Sequence, residues 1–161
     1  MSEVKNVIWA GFDVGKDSFV AALDEETATN RRKVTSLACR KFKRNQEEVK
    51  KFFQWARDYF PEAEIRIVME TTGCYSQHLA GWINQLYPDV PVTIENAKNV
   101  HLFIQSLNLP HKTDRLDAQA IARFGADQSI LQKNDRPRNH ERFRGRLCMR
   151  GANIERPLKA P

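Results

Sequence analysis

The sequence lacks any run of about 18 consecutive apolar residues, so a helix that spans a bilayer is not expected. Its first residues, MSEVKN, lack the basic stretch followed by an apolar stretch that marks a secretory signal, so no signal is expected. Cysteine is scarce: Cys39, Cys74 and Cys148 are an odd number and include no C-x-x-C pair. We therefore expect neither a disulfide framework nor a zinc site, and we expect a reducing, cytoplasmic setting with no membrane partner.

Net charge is also missing from most of the chain. In the first 132 residues 17 Lys/Arg balance 17 Asp/Glu, whereas residues 133–161 contain nine basic and three acidic residues and hold the whole net charge of +6. The length of 161 residues suits one globular domain, which we predict at 1–128, followed by a basic, disordered or truncated tail at 129–161. The tail suits binding to a phosphate backbone, and a solvated terminus is an equal alternative. Its candidate nucleic-acid ligands are Arg138, Arg142, Arg144 and Arg146.

Hydrophobic periodicity predicts an alternation of strands and helices before the tail. The predicted order is strands at 7–12, 18–23 and 33–39, a helix capped by Asn45 and ending before Pro61, a strand at 65–69, a helix over 75–86, a strand at 92–94, a helix capped by Asn96, and a last helix over 113–125. Closely spaced first strands indicate an antiparallel meander, and helical crossovers favour parallel pairing later. This layout predicts an α/β, ribonuclease-H-like mixed sheet with flanking helices.

Two acidic residues follow buried strands. Asp13 comes directly after the apolar run VIWAGF, and Glu70 directly after IRIVM. Ligand sites collect at the carboxyl ends of strands in an open sheet. We therefore expect the two carboxyl groups to lie close together.

Two further acids begin the last predicted helix. Asp114, Asp117, Ile121 and Phe124 fall on one helical stripe, and the two apolar members must face the core for the helix to pack. The stripe therefore directs both aspartates inward. Taken alone, either acid has a simpler explanation, because acidic residues in a first helical turn complement the helix dipole.

A cluster of these four carboxylates requires neutralisation. Two carboxylates about 4 Å apart repel by roughly 4 kcal/mol at an effective dielectric constant of 20. Hard oxygen donors with no His or Cys cluster beside them suit Mg²⁺ or Mn²⁺, and two such ions assist phosphodiester chemistry. The residues thus predict a two-ion site for cutting or transferring nucleic-acid strands.

Three segments at these positions resemble a known family. They are GFDVGKDSFVAAL, VMETTGCYSQHLAGWI and KTDRLDAQAIARFG, in the same order and spacing as in the N-terminal domain of bridge-RNA-guided bacterial insertion-sequence transposases, over about residues 7–126. The resemblance implies a RuvC-like domain with a DEDD metal-binding tetrad. Its four acidic positions correspond to Asp13, Glu70, Asp114 and Asp117. It also implies DNA as substrate, a structured guide RNA as partner, and a homo-oligomer in the full-length form.

The C-terminal part of the chain differs from that family. The family continues through a coiled coil into a second domain with a catalytic serine, and nothing after Gly125 resembles this continuation. We therefore expect the chain alone to be an incomplete recombinase.

The remaining charged residues allow more than one interpretation. Lys112, Arg115 and Arg123 flank the aspartates and are candidate phosphate ligands, although ordinary solvated helix charges explain them equally well. His78 and His101 are interpreted as helix residues without a catalytic role, and His111 is a weaker candidate because it precedes Lys112.

Two other functional classes stay open. GFDVG also resembles the first phosphate loop of actin-like sugar kinases and chaperone ATPases, but the second glycine-rich motif and the adenosine motif of those proteins are missing. The other alternative is a non-catalytic nucleic-acid-binding module in which the acidic site is unused.

Overall fold

The protein folds around one five-stranded mixed sheet. A computed structural model describes residues 5–27 and 29–135, with side chains as far as Gln132. The strands occur in the spatial order β3-β2-β1-β4-β5. Their bounds are β1 Val7–Val14, β2 Ser18–Glu25, β3 Cys39–Lys43, β4 Glu64–Glu70 and β5 Val92–Glu95.

The helices pack on both faces of this sheet. They are α1 Gln46–Tyr59, α2 Gly73–Leu86, α3 Ala97–Ser106 and α4 Asp114–Asp135, with a single 3-10 turn at Val34–Ser36. In the part of the chain that the structure describes, no helix combines the length and the apolar composition needed to cross a membrane.

Strand directions identify the fold. β1 pairs antiparallel with β2, and β2 antiparallel with β3, whereas β1–β4 and β4–β5 are parallel. An antiparallel meander extended by parallel strands in the order 3-2-1-4-5 is the ribonuclease-H-like, RuvC-like architecture. The predicted fold class is confirmed.

The third predicted strand was wrong in position. Val34–Ser36 forms the 3-10 turn, in which the Ser36 amide and hydroxyl both donate to the Lys33 carbonyl, and the strand begins only at Cys39. Phe42 anchors this strand, because its buried ring stacks on Phe19 with centroids 5.4 Å apart. The alternation at 33–39 therefore reflects a turn that buries Leu37 beneath α4, not a strand.

The last helix was predicted too short. It continues past Gly125 to Asp135, so the expected domain boundary at 128/129 lies within α4. Residues 129–135 of the predicted tail are helical, and residues 136–161 lie outside the described residues. Gly125 does not end the helix because it serves packing: a Cβ there would lie 2.6 Å from the Trp9 ring and 2.8 Å from Val68.

The predicted helix starts agree with the observed caps. Asn45 Oδ1 accepts from the Glu48 amide at 2.8 Å, and Asn96 Oδ1 accepts from the Lys98 amide at 2.8 Å. Asn45 and Glu48 have the spacing of a capping box, but the Glu48 carboxylate does not return a bond to the Asn45 amide, because it accepts from the Lys43 amide instead.

Alternation along β1 divides the core between the two sheet faces. Ile8, Ala10 and Phe12 pack with α1 and α2, while Trp9 packs with α3 and α4. Since side chains alternate along a strand, Asp13 belongs to the α3/α4 face.

Candidate active site

Two strand ends bring Asp13 and Glu70 side by side. Phe12 of β1 pairs with Met69 of β4 in the parallel ladder, so the next residues in each strand are neighbours. Glu70 shares the α3/α4 face, because Met69 before it packs on the opposite face. Both acids are partly buried.

Gly11 lets α4 lie directly against β1. A Cβ at this position would meet the Ala122 backbone nitrogen at 2.1 Å and the Ala118 carbonyl oxygen at 2.5 Å. Such contacts are impossible for any residue with a side chain, so glycine is required here. The close approach places the first turn of α4, with Asp114 and Asp117, beside Asp13.

Thr113 caps that first turn. Its hydroxyl oxygen accepts from the Leu116 amide at 3.1 Å, and its carbonyl oxygen accepts from the Asp117 amide at 2.9 Å. Thr113 is therefore the start of the helix, as predicted.

A buried ion pair fixes the rest of α4 above β2. Arg123 Nε donates to Asp24 Oδ2 at 2.6 Å, and both side chains are almost fully buried, so the expectation that Arg123 binds phosphate is wrong. Arg31 bridges Asp24 and Asp127, so the pair is part of a network. The Gln119 amide donates to the Leu37 carbonyl at 2.8 Å and adds a further anchor.

The four carboxyl groups interact with one another. The pKa of Asp13 is raised to about 7, first by burial and then by the negative charges of Asp114, Asp117 and Glu70, and Asp13 also shares a side-chain hydrogen bond with Asp114. A proton held between these two carboxyl groups relieves their repulsion. The structure thus brings together the four acids that the sequence predicted.

Lys112 and His101 face the same cluster. The pKa of Glu70 is raised by burial and by Asp117, while His101 and Lys112 act in the opposite direction. The pKa of Asp117 is likewise raised by burial, against the effect of Lys112.

The two helical aspartates differ in exposure. Ile121 and Phe124 are buried as predicted and Asp117 is partly buried, but Asp114 is exposed. Asp114 nevertheless points toward the cluster, as predicted, because it shares a side-chain hydrogen bond with Asp13; it stays exposed because the first turn of α4 lies at the end of the sheet.

The donor chemistry of the cluster fits a hard divalent cation. All four acids offer carboxylate oxygens, and the pKa values of Asp13, Glu70 and Asp117 are raised by burial and by neighbouring negative charges, which a cation would offset. The carboxyl groups are spaced too widely to hold a single ion as they stand: among residues 5–27 and 29–132, no three His, Cys, Asp or Glu side chains are grouped closely enough to hold one ion.

A cleft of about 610 Å³ opens beside Glu70 and Asp117. Its other polar walls come from α3 and the segment that follows it, and include His101, Asn108, His111 and Lys112. His101 was interpreted as a helix residue without a role, and the structure places it at the site. No spacing motif marks His101; only the position of α3 after β5, the neighbour of β4, brings it there.

A second recess lies further along the same sheet face. It measures about 340 Å³ and is lined mainly by α3 and α4, with Trp9, Phe103 and Phe124 among its walls. Glu95 is its single acidic lining residue, so it lacks the carboxylate cluster. Glu70 and Asp117 of the carboxylate cluster line the larger cleft instead.

The predicted basic ligands lie on opposite sides of the cluster. Lys112 faces Glu70 and Asp117, whereas the Arg115 carbonyl accepts from the Cys39 thiol of β3 at 3.9 Å. The candidates Arg138, Arg142, Arg144 and Arg146 lie outside the described residues, so their role stays a prediction.

Comparison with known proteins decides the family. The family described as the DEDD transposase of IS110 matches residues 10–142, most of the chain. The chain belongs to the IS110 DEDD transposase family. Membership confirms the resemblance found in the sequence and favours it over the nucleotide-binding alternative.

Curated relatives of this IS110 transposase domain are longer proteins. The pilin gene-inverting proteins of Moraxella lacunata and Moraxella bovis are each 28% identical over 123 residues, covering 75% of this chain and 35% of theirs. The chain thus spans about a third of the length of the curated relatives it matches.

Solved structures with similar folds include two resolvases. The fowlpox virus Holliday junction resolvase is 18% identical with a TM-score of 0.44, covering 77% of this chain and 96% of its own. RuvC of Thermus thermophilus is 17% identical with a TM-score of 0.44 and the same coverage. The fold assignment itself rests on the strand order and directions described above.

Proposed function

We propose that this transposase domain supplies the metal-binding carboxylates for strand transfer at DNA phosphodiesters. Asp13, Glu70, Asp114 and Asp117 would hold two divalent cations, Mg²⁺ or Mn²⁺. The observation that carries the proposal is the convergence of four carboxyl groups from β1, β4 and α4, with the pKa of Asp13 raised to about 7 by burial and by the other three.

The chain's own residues would bind and orient the substrate. Bound ions in such a site stabilise the charge on the attacked phosphate and on the leaving oxygen. Lys112 and Arg115, on opposite sides of the cluster, would position the phosphates next to the reacting one. The Gly11 contact would keep Asp114 and Asp117 at a fixed distance from Asp13.

The domain would act as part of a longer protein. Its curated relatives are named for inverting a pilin gene, which supports DNA as the substrate, and they extend well beyond the matched region. The serine-bearing second domain, the guide RNA and the homo-oligomer implied by the resemblance belong to that longer protein. The domain alone would bind metal and nucleic acid without completing recombination.

Metal-dependent thermal stability tests this proposal. A ligand that binds only the folded state raises its melting temperature. We expect MgCl₂ and MnCl₂ to raise the melting temperature of the parent, and Asp13→Asn and Asp114→Asn to remove most of that rise.

The control is Asp89→Asn, which removes an exposed carboxylate in the turn before β5. It should respond to metal like the parent. An equal response in all four proteins would disprove the metal site, and stabilisation by ATP instead would favour a nucleotide-binding function.

A further inference from the structure

We infer that the edge strand β3, next to the carboxylate cluster, binds the phosphate backbone that flanks the reacting phosphate. This inference rests on the proposed function. The surface, which we call the β3 cationic surface, consists of Lys41 and Lys43 of β3 together with Arg115 of α4. All three side chains are exposed.

Strand register aligns this surface with the candidate active site. Asp13 pairs with Val20, and Val20 pairs with Lys41, so the three residues form one row across the sheet. Directly paired residues point to the same face, so Lys41 shares the face of Asp13. Two strand spacings separate them by about 10 Å.

The first turn of α4 connects the two regions. Arg115 lies against β3 through the bond from Cys39, while its neighbours Asp114 and Asp117 interact with Asp13. Burial raises the pKa of Cys39 to about 11, and the nearby Arg115 charge opposes that rise, which places the guanidinium close to β3. The first turn of α4 therefore presents Arg115 toward β3, and Asp114 and Asp117 toward β1.

The charge of this region is one-sided. Residues 31–44 contain seven Lys/Arg and no Asp/Glu, within a first 132 residues that are neutral overall. Glu48 accepts from the Lys43 amide and pairs with Lys51, so it partly balances Lys43. Among the described residues, no ion pair joins Lys41 or Arg115 to a carboxylate, which leaves both charges available to an anion.

The dimensions fit a polynucleotide that crosses the end of the sheet. Successive phosphates of one strand advance about 3.4 Å along a helix axis, so about 10 Å corresponds to roughly three phosphates. The backbone would pass from the β3 cationic surface over the carboxylates to Lys112 on the other side. The nucleic-acid strand would therefore run perpendicular to β1.

Lysines on an edge strand have a competing explanation. Positive charge there prevents strand pairing between molecules. That role predicts that neutral variants aggregate, with no specific loss of nucleic-acid affinity.

Salt-dependent binding separates the two roles. We would measure binding of the full chain to fluorescent single-stranded DNA, the same sequence as duplex, and the matching RNA, all in EDTA. The double variant Lys41→Gln/Lys43→Gln should weaken binding about tenfold. It should also reduce the salt slope, which is the steepness with which log affinity falls as log salt concentration rises, by about 1–2, the change expected for one or two lost phosphate contacts. Lys41→Arg/Lys43→Arg should retain the parent affinity and slope.

The matched control is Lys5→Gln/Lys50→Gln, which neutralises two exposed lysines away from the β3 cationic surface, one just before β1 and one on α1. It removes the same charge and should change the slope much less. Equal losses in both double variants, or aggregation of the β3 variant at unchanged affinity, would overturn the inference. A loss confined to DNA or to RNA would support it and identify the polymer.

Metal response distinguishes this inference from the proposed function. The β3 double variant should keep the melting-temperature rise with MgCl₂, because it leaves the four carboxylates intact. If MgCl₂ does not raise the melting temperature of the parent while the β3 double variant loses affinity for nucleic acid, the results support the β3 cationic surface and contradict the metal site. If metal response is present and affinity is unaffected, the inference alone fails.

Discussion

At the scale of single residues, the site is defined by one carboxyl group that is costly to ionise. Asp13 is partly buried and interacts with three other acids. The sequence predicted this group of four because two acids follow buried strands and two share a helical stripe. It did not predict His101, because nothing in the local sequence around this residue shows that α3 approaches Glu70.

The pKa of Asp13 makes the stability of the metal-free protein depend on pH. Since its pKa is raised from 3.8 to about 7, the folded state binds the proton more tightly than the unfolded state. The resulting stability is present below about pH 4 and is lost as the pH rises to about 7. In EDTA, the urea concentration at the unfolding midpoint of the parent should fall as the pH rises over this range, and that of Asp13→Asn should fall much less.

At pH 8, Asp13→Asn should therefore be more stable than the parent by about 1–2 kcal/mol. This is less than the full conversion at about 1.4 kcal/mol per pKa unit, because Asp13 is partly exposed to solvent. Asp89→Asn should leave the pH profile unchanged. A parent profile that is flat between pH 5 and 8 would contradict the prediction.

At the scale of elements, the contact between β1 and α4 is the one on which the candidate site depends. It is made by backbone against backbone at Gly11, and by Gly125 against Trp9 at the other end. The buried Arg123–Asp24 ion pair joins the helix to β2.

Gly11→Ala should be strongly destabilising. The new methyl group would lie 2.1 Å from the Ala122 nitrogen, and backbone atoms have little freedom to move away. We expect a loss of at least about 2–3 kcal/mol in urea unfolding, together with a weaker response to MgCl₂.

Gly15→Ala is the matched control. Its Cβ would meet only the Ser18 carbonyl oxygen, at 3.4 Å, in an exposed turn. Comparable losses at the two positions would show that α4 is not held against β1 as described.

The same elements show what local sequence can predict. The buried runs at β1 and β4 and the capped helices were predicted because their periodicity and end residues are local signals. β3 was misplaced because its anchor, Phe42, is recognisable only through long-range packing on Phe19 and Phe52. α4 was ended too early because a glycine that serves packing resembles one that ends a helix.

At the scale of the whole molecule, charge is divided among three regions. Carboxylates occupy the end of the sheet, cations occupy β3, and the excess positive charge of the sequence lies in residues 133–161. In the function proposed above, this division would separate metal binding from attraction to a polyanion.

Removal of residues 136–161 tests that division. We expect the truncated protein to bind nucleic acid less tightly, with a smaller salt slope, because several basic residues are lost. Its melting temperature should still rise with MgCl₂. An unchanged salt slope would show that the basic tail makes no contact with the backbone.

The length of α4 has a mechanical consequence. At about 1.5 Å per residue, its 22 residues form a rod of about 33 Å, with two acids of the candidate site at one end and Asp135 at the other. The contact with Gly11 of β1 and the Arg123–Asp24 pair both lie between these ends, so the rod is held at more than one point along its length. The spacing between Asp13 and the two helical acids therefore depends on contacts further along the helix.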